Sequence, residues 1–478
     1  MTPPPDSSDA MPVVSEADRR KILSGLLLIM FLGALGQLIV APVLPTLGAE
    51  LGDVEHLPWI VSAYLLSAAV STPIFGKLSD IHGRRRILIV AIVVFVAGSI
   101  FCALAPTMVL LAVARGIQGL GGGAFIALCQ AAIADIIPPR ERGKYQGHIV
   151  AAFAASTIGG PIVGGLLAEY AHWSLIFWLN LPFALLAMVM VDRAMRHLPV
   201  HTVDRRLDFV GASMLTVAIV VLLLALSWGG VRYPWLSAPI LGLAAAALAV
   251  LALYVFYARR TPDPFLPLDV LNDRVVAPAC VSTFFAMVAL IGLSAYMPMY
   301  FELLLQFSAS SAGLAQTALA IGTTFGGLLM GRLIAQLSAP KWLAIPAQVA
   351  AIAALLVLTF AIERLSLAAI LVLLVIIGFA LGTMFPLTTV STQNAVDRRH
   401  LGVVLATLNL TRNIGGASGS AVYGAILLSG AGGGSRVALS SLSPATLAEN
   451  YVLVFAGVAL AVALAMIAIA PMENRALR

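Results

Sequence analysis

Long apolar runs, separated by short charged connections, are the feature that most limits what this chain of 478 residues can fold into. A helix that crosses the hydrocarbon layer of a bilayer needs about 20 apolar residues. Fourteen runs of that length occur along the chain, and 60% of all residues are hydrophobic while only 10% are charged. We therefore expect an all-α polytopic membrane protein with fourteen transmembrane helices.

The fourteen runs are separated by charged or Pro- and Gly-rich breaks. They cover residues 22–45, 58–76, 87–105, 108–136, 147–170, 173–191, 207–227, 237–257, 274–302, 312–336, 342–361, 366–391, 401–428 and 450–471.

Short sequence echoes indicate an internal repeat. GKLSDIHGRRR at 76–86 aligns with GRLIAQLSAPK at 331–341, and PPRERG at 138–143 aligns with DRRHLG at 397–402. Echoes in the same order predict two homologous six-span halves with two inserted spans between them. The expected organisation is a tail at 1–21, an N-terminal half at 22–191, linkers and two inserted helices at 192–273, a C-terminal half at 274–471 and a second tail at 472–478.

The positive charges predict the orientation in the membrane. Short loops rich in Lys and Arg stay on the cytoplasmic side, and most of the 28 lysines and arginines lie in even-numbered connections such as 77–86 and 140–144. Both termini are therefore expected in the cytoplasm. The short, prokaryote-like loops suggest that the spans lie in a bacterial inner membrane. The net charge of +6 fits this topology and contact with the anionic lipid bilayer, so no nucleic-acid partner is expected.

The connection GKLSDIHGRRR resembles the GxLxDrxGrr loop of the major facilitator superfamily. An acid between cations and glycines can form a charge latch that makes and breaks during a conformational change. The alternative is a solvated cationic loop. The residues expected to form this conformational latch are Gly76, Asp80, Gly83, Arg84, Arg85 and Arg86.

Three further segments resemble the 14-span drug:proton antiporters of that superfamily: ARGIQGLGGG at 114–123, GPIVGG at 160–165 and LDFVGASML at 207–215. The resemblance implies a multidrug exporter that acts by alternating access and contributes to antibiotic resistance. It also implies that protons are the exchanged partner and that the proton-motive force, rather than a cofactor, supplies the energy. The antiporter motif is expected at Gly160, Pro161, Gly164 and Gly165, where a bend is thought to limit proton leak.

Two segments depart from the family pattern. LGQLIVAPVLP at 35–45 places Gly36 where the family has a membrane acid, and WSLIF at 173–177 lacks the family's Arg and second Trp. Details of substrate and coupling therefore do not transfer directly.

Two arginines lie inside apolar runs, where an unpaired cation is costly. Arg115 has Gln118 one turn away, and Arg412 has Asn409 one turn away. Each pair is either a group that lines a cavity and senses protonation or an anchor between helices. Both interpretations stay open, and for Arg115 the family resemblance favours the group that lines a cavity and senses protonation.

A proton-coupled exporter needs a carboxylate, which Gly36 does not supply. Glu302 ends an aromatic span, YMPMYFELLL, and is the first candidate; the alternative is an interfacial residue that caps the span. Asp135 is the second candidate, with a structural pairing to Arg140 or Arg142 as its alternative. Both are retained as coupling candidates.

Aromatic and neutral amide side chains suit a cavity for amphipathic small molecules. Any single one of them is more often a core-packing residue than a substrate contact. The expected substrate-binding residues are Gln37, Tyr296, Tyr300 and Phe284.

Enzymatic function is not expected, because the sequence contains neither GxxxxGK[ST] nor HExxH, and the three cysteines lack metal or disulfide spacing. Three alternatives to a multidrug exporter stay open. They are a dedicated exporter of one metabolite, lipid or siderophore, an uncoupled facilitator, and a membrane scaffold or sensor. The sequence also leaves open whether a periplasmic adaptor takes part.

Overall fold

A computed structural model describes most of the chain. Within the described residues the structure is helical, with one isolated β-bridge between Gly229 and Tyr233. The described ranges are 16–40, 43–51, 57–196, 208–229, 233–262, 264–266, 268–307, 309–334, 336, 340–397, 400–427 and 444–473.

The helices follow one another with short connections. The first ten are α1 (Glu16–Leu38), α2 (Leu44–Leu51), α3 (Leu57–His82), α4 (Arg84–Ala103), α5 (Met108–Ile136), α6 (Pro139–Tyr170), α7 (Leu175–Trp178), α8 (Asn180–Met195), α9 (Phe209–Trp228) and α10 (Ala238–Ala258). The others are α11 (Leu268–Leu271), α12 (Val276–Leu303), α13 (Ala309–Leu333), α14 (Lys341–Ala361), α15 (Leu367–Ala395), α16 (Leu401–Leu427) and α17 (Pro444–Ile469).

Eleven helices in the described part of the chain are long and apolar enough to cross a membrane. The all-helical class agrees with the sequence, but the expected count of fourteen spans is not confirmed. The three other expected runs, 147–170, 312–336 and 401–428, fall on the long helices α6, α13 and α16, which are not among the eleven.

Some predicted boundaries differ from the observed ones. The first run was expected to reach residue 45, but α1 ends at Leu38 and the separate helix α2 follows. The sixth run is broken between Trp178 and Asn180, and α6 begins at Pro139, before its apolar run. Proline fits the first turn of a helix because a backbone N–H at that position would have no partner within the helix, so its absence costs nothing.

The helices form two compact units. The first contains Met1–Arg142, Ala155–Arg206 and Asp397–Ala406, and the second contains Gly143–Ala154, Leu207–Val396 and Thr407–Arg478. In the first unit α3 packs against α5 and α1 against α8; in the second α13 packs against α15 and α12 against α17. The same helix pairs, second span with fourth and first with sixth, therefore recur within each unit.

Glycines bring α13 and α15 close together in the second unit. A Cβ on Gly322 or Gly326 would overlap the backbone of α15, and a Cβ on Gly378 or Gly382 would overlap the backbone of α13. Small residues at such positions let helix backbones approach and gain packing contacts in an apolar solvent.

Asp208 holds the inserted helices α9 and α10 together. Its carboxylate caps α9 by accepting a hydrogen bond from the Gly211 amide at 2.9 Å. The same carboxylate accepts hydrogen bonds from the Tyr257 hydroxyl at 2.8 Å and the Phe265 amide at 2.9 Å. These three contacts explain why an acid stands at the second position of the LDFVGASML segment.

Candidate functional site

A buried charge cluster, here called the Asp80 cluster, lies where α3 meets α4. Asp80 is 5% exposed and forms an ion pair with Arg84. The Arg84 Nε donates to Asp135 at 3.0 Å, and one terminal nitrogen donates to the Ser79 hydroxyl at 2.5 Å. Arg84 thus joins two carboxylates from different helices, α3 and α5.

The other side of the Asp80 carboxylate binds the start of α16. The Gly402 amide donates to one oxygen and the Val403 amide to the other, each at 3.2 Å. The first amides of a helix have no partner within the helix and carry a partial positive charge, so a carboxylate stabilises them. The Asp80 cluster therefore consists of Asp80, Arg84, Asp135 and these two amides.

Three glycines make this geometry possible. Gly83, between α3 and α4, has a φ of 87°, a left-handed conformation that favours glycine. A Cβ on Gly76 would lie 2.7 Å from the Gly402 carbonyl oxygen. A Cβ on Gly402 would lie 2.5 Å from an Asp80 oxygen and 2.6 Å from the Gly76 carbonyl oxygen. The backbones of α3 and α16 touch at this point.

The remaining cations of the motif have different surroundings. Arg85 donates to Asp192 through two nitrogens, at 3.1 and 2.5 Å, and Arg196 donates to the other oxygen of Asp192 at 3.0 Å. Arg86 is exposed. The expected latch residues thus divide into a buried cluster at Arg84, a half-exposed ion pair at Arg85 and a solvated side chain at Arg86.

Asp135 pairs with Arg84, where the sequence favoured Arg140 or Arg142. The Arg142 guanidinium instead donates to the carbonyl oxygens of Ala134 at 2.7 Å and Ile137 at 3.1 Å. Arg142 therefore caps the C-terminal end of α5, where carbonyl groups lack partners within the helix. The side chain of Arg140 lies outside the described part of the chain.

Arg115 is enclosed in the first unit, with 1% of its surface exposed. Its Nε donates to the Ile60 carbonyl at 3.1 Å, and one terminal nitrogen donates to the Gly36 carbonyl at 2.9 Å. The same nitrogen donates to Gln118 at 2.5 Å, and the guanidinium carbon is 4.3 Å from the centre of the Tyr64 ring. Among the described residues no carboxylate forms an ion pair with Arg115.

Gln118 extends this network, since its amide donates to the Ser99 hydroxyl at 2.7 Å. Arg115 thereby connects α5 with α1, α3 and α4 through main-chain and side-chain oxygens. These contacts favour the anchor interpretation, in which the guanidinium joins helices. Gly36, whose carbonyl accepts this hydrogen bond, stands at the sequence position where the family pattern has an acid.

Replacement of Arg115 is expected to lower stability more than replacement of an exposed arginine. Arg115→Lys keeps the charge, but a compact ammonium does not match three oxygens held by a planar guanidinium. Arg115→Leu leaves buried oxygens unpaired, at about 1–3 kcal/mol each. The unfolding temperature of the purified protein is expected to be highest for wild type, lower for Arg115→Lys and lowest for Arg115→Leu. Arg86→Gln serves as control, and equal unfolding temperatures for all variants would contradict the anchor.

Arg412 lies in the middle of α16 in the second unit. Its two terminal nitrogens donate to Asn409 at 3.1 Å and to the Thr389 hydroxyl at 2.7 Å. The guanidinium carbon is 5.4 Å from the centre of the Phe385 ring. The structure thus brings Arg412 and Asn409 together, as the spacing suggested, and adds α15 to the group.

Glu302 is half-buried in the last turn of α12, close to the end of the helix. This position is compatible with either a capping residue or a proton carrier at the end of a span. Coupling through Glu302 stays a prediction.

The expected substrate-binding residues have varied surroundings. Tyr300 is buried and packs edge to face against Tyr451, while the Tyr296 hydroxyl donates to the Ser420 carbonyl at 2.6 Å. Phe284 is half-buried beside Phe285, and Gln37 is exposed near the end of α1. The three aromatic residues belong to the second unit and Gln37 to the first.

The antiporter motif lies within α6. Gly160 and Gly164 are buried, and the side chain of Pro161 lies outside the described part. A Cβ on Gly165, or on the neighbouring Gly159, would meet no atom within 4 Å outside its own helix turn in the described part of the chain. Close helix approach in this conformation therefore does not depend on Gly159 or Gly165.

Comparisons with known proteins agree with the motifs. The family model of the Major Facilitator Superfamily matches residues 26–207 and 207–420. An uncharacterized MFS-type transporter of Mycobacterium tuberculosis is 32% identical over 87% of this chain and 61% of its own length. The multidrug transporter protein MdtP of Bacillus subtilis is 30% identical over 86% of this chain and 76% of its own length.

The fold is also found among solved structures. The major facilitator proton:xylose symporter XylE superposes with a TM-score of 0.64 at 16% identity, covering 94% of this chain and 95% of that protein. At this identity the likeness concerns the fold alone. This chain spans about three fifths of the length of the M. tuberculosis relative.

Proposed function

We propose that this chain, which belongs to the major facilitator superfamily, exports amphipathic small molecules in exchange for protons by alternating access. Family and apolar helices together make it a multi-pass membrane protein. The finer assignment to the 14-span drug:proton antiporters is supported by the motifs and by the relative named a multidrug transporter. We place the spans in a bacterial inner membrane with both termini on its cytoplasmic side. The reason for this orientation is that short loops rich in Lys and Arg stay in the cytoplasm.

The observation that carries this proposal is the Asp80 cluster. A buried ion pair that also binds the first amides of α16 is stable when closed, and breaking it leaves charges without partners. Such a contact suits a protein with two discrete conformations better than a static surface loop. A scaffold or sensor would not need a buried carboxylate whose partners come from two other helices, α4 and α16.

The driving force for export is sufficient. Moving one proton down a membrane potential of about 100 mV releases about 2.3 kcal/mol, before any pH gradient is added. In the proposed cycle a proton from outside neutralises a carboxylate, and its release into the cytoplasm accompanies export of the substrate. Glu302 and Asp135 are the carboxylates that we assign to this step.

Inverted membrane vesicles with an acidic interior test this function. Amphiphiles of positive, neutral and negative charge are added to vesicles that contain wild type, Glu302→Gln or Asp135→Asn. We expect several compounds to dissipate the pH gradient with wild type, and one of the two substitutions to prevent it. Dissipation by a single compound would favour a dedicated exporter, and no dissipation by any compound would contradict proton-coupled drug export.

A further inference from the structure

In the described helices, the charged side chains far from the helix ends are all positive. Among the described residues, Arg115 and Arg412 are the Lys, Arg, Asp or Glu residues that lie roughly two turns or more from the nearest helix end. The carboxylates of the described helices lie nearer the ends, as Asp80, Asp135 and Glu302 do. A buried cation without a counter-charge attracts anions and repels cations. The two arginines are therefore the residues that can make the protein prefer an anionic ligand over a cationic one.

Arg115 is already enclosed by protein. Its nitrogens donate to the Ile60 and Gly36 carbonyls and to Gln118, and the Tyr64 ring covers the guanidinium. These protein groups already supply the oxygens that a ligand would offer to Arg115.

Arg412 differs because part of its binding capacity is unused. The terminal nitrogens bind Asn409 and Thr389, but its buried Nε has no hydrogen-bond partner among the described protein atoms. No ion pair joins Arg412 to a carboxylate in the described part of the chain. A guanidinium is planar and presents its N–H groups as a fork that matches the oxygens of a carboxylate, sulfonate or phosphate.

The neighbouring side chains suit an amphipathic anion. Thr392 lies one turn from Thr389 on the same face of α15, and its buried hydroxyl has no partner among the described protein atoms. A hydroxyl can donate a second hydrogen bond to an oxyanion. The ring of Phe385 lies beside Arg412, where it can contact the apolar body of a ligand.

The helix that carries Arg412 is firmly placed. A Cβ on Gly415 would overlap the backbone at Phe284, and a Cβ on Gly419 would overlap the backbone at Val288. α16 therefore packs closely against α12 directly after Arg412. Sites built on closely packed helices hold their side chains in a defined geometry.

We propose that the Arg412 cluster, formed by Arg412, Thr389, Thr392, Asn409 and Phe385, binds the anionic group of the exported molecule. The preferred substrate is then an amphipathic organic anion, with a carboxylate, sulfonate or phosphate on an apolar body. This inference rests on the proposed export function and adds the substrate class to it.

Three dansyl probes with the same fluorophore test this assignment: dansyl-glycine is an anion, dansylamide is neutral and dansyl-cadaverine is a cation. Each is titrated against the full-length protein in nanodiscs of phosphatidylcholine. Wild type is expected to bind dansyl-glycine most tightly. Arg412→Gln is expected to weaken that binding about tenfold and dansylamide binding less than twofold, because a charge-assisted hydrogen bond is lost.

Further variants keep the test independent of folding. Arg332→Gln removes an exposed arginine of the same unit and is expected to change nothing. Thr389→Val and Arg412→Lys preserve side-chain volume or charge, and both are expected to weaken dansyl-glycine binding less than Arg412→Gln does. Equal affinity of wild type and Arg412→Gln for dansyl-glycine, or tightest binding of dansyl-cadaverine, would overturn the proposal.

Two further measurements separate related outcomes. If phosphatidylglycerol in the nanodiscs abolishes dansyl-glycine binding to wild type, the cluster holds a lipid headgroup and the substrate assignment is overturned. Transport of the probes into inverted vesicles separates this inference from the proposed function. Transport of dansylamide without preference for dansyl-glycine contradicts only the anion site, whereas transport of no probe contradicts both.

Discussion

Asp80→Asn is expected to reduce export at least tenfold while the protein remains folded. The side chain keeps its size, but one amide group replaces an oxygen that accepts from Arg84 or from the amides of Gly402 and Val403. The new amide N–H group then faces the guanidinium of Arg84 or a backbone amide of α16, so two hydrogen-bond donors meet in a buried position. Removing one member of a buried pair costs about 3–5 kcal/mol in general, and Asp135 offsets part of this cost because it still binds Arg84.

The initial rate of probe export into inverted vesicles measures this effect, normalised to the amount of folded protein. Asp192→Asn is the matched control, since it breaks an ion pair of Arg85 whose side chains are 38% and 27% exposed. Water and salt screen ion pairs that are exposed to this degree, so they contribute little to stability, and less than a twofold change in export is expected. Equal rates for Asp80→Asn and wild type would show that the Asp80 cluster is not needed for transport.

Gly402→Ala is expected to have the second large effect, since it adds a methyl group where two backbones touch. The new carbon would lie 2.5 Å from an Asp80 oxygen, 2.6 Å from the Gly76 carbonyl oxygen and 2.7 Å from an Arg84 nitrogen. Because one of these neighbours is backbone, the start of α16 has to move away from α3. We expect a lower unfolding temperature and a loss of export similar to that of Asp80→Asn.

Gly165→Ala provides the control for Gly402→Ala. Among the described residues, a Cβ at Gly165 meets no atom of another element within 4 Å. Alanine also favours a helix over glycine by about 1 kcal/mol. Unfolding temperature is therefore expected to stay unchanged or rise slightly in this variant. If Gly402→Ala behaved like Gly165→Ala in both assays, the close contact between α3 and α16 would have no functional role.

The fold class and most helices were predictable, because hydropathy and length respond to the same physical limit, the thickness of the bilayer. Boundaries were less accurate where polar residues extend a helix beyond its apolar run, as at Pro139, or where a run breaks, as between Trp178 and Asn180. The expected membership of the major facilitator superfamily is confirmed by the family model. Its signal was local, since the motif covers the consecutive residues 76–86. The sequence placed these residues in a connection, but α3 extends to His82 and α4 begins at Arg84.

The partners of the site residues were harder to predict. Asp80 binds backbone amides at Gly402 and Val403, far away in sequence, and a backbone amide leaves no trace in side-chain patterns. The same holds for Arg115, whose main acceptors are main-chain carbonyls. Asp135 pairs with Arg84, although Arg140 and Arg142 are nearer in sequence, because α4 and α5 pack side by side. For the contact between Asp80 and the start of α16, the sequence offered one signal, the echo DRRHLG, which ends at Gly402.

The measurement that tests the central claim most directly uses the purified protein in inside-out proteoliposomes with an acidic interior. Uptake of dansylamide and dansyl-glycine is followed with and without a protonophore. Proton-coupled export predicts that at least one probe accumulates above its equilibrium distribution and that the protonophore abolishes this accumulation. Uptake that stops at equilibrium and ignores the protonophore would contradict the account and identify an uncoupled facilitator.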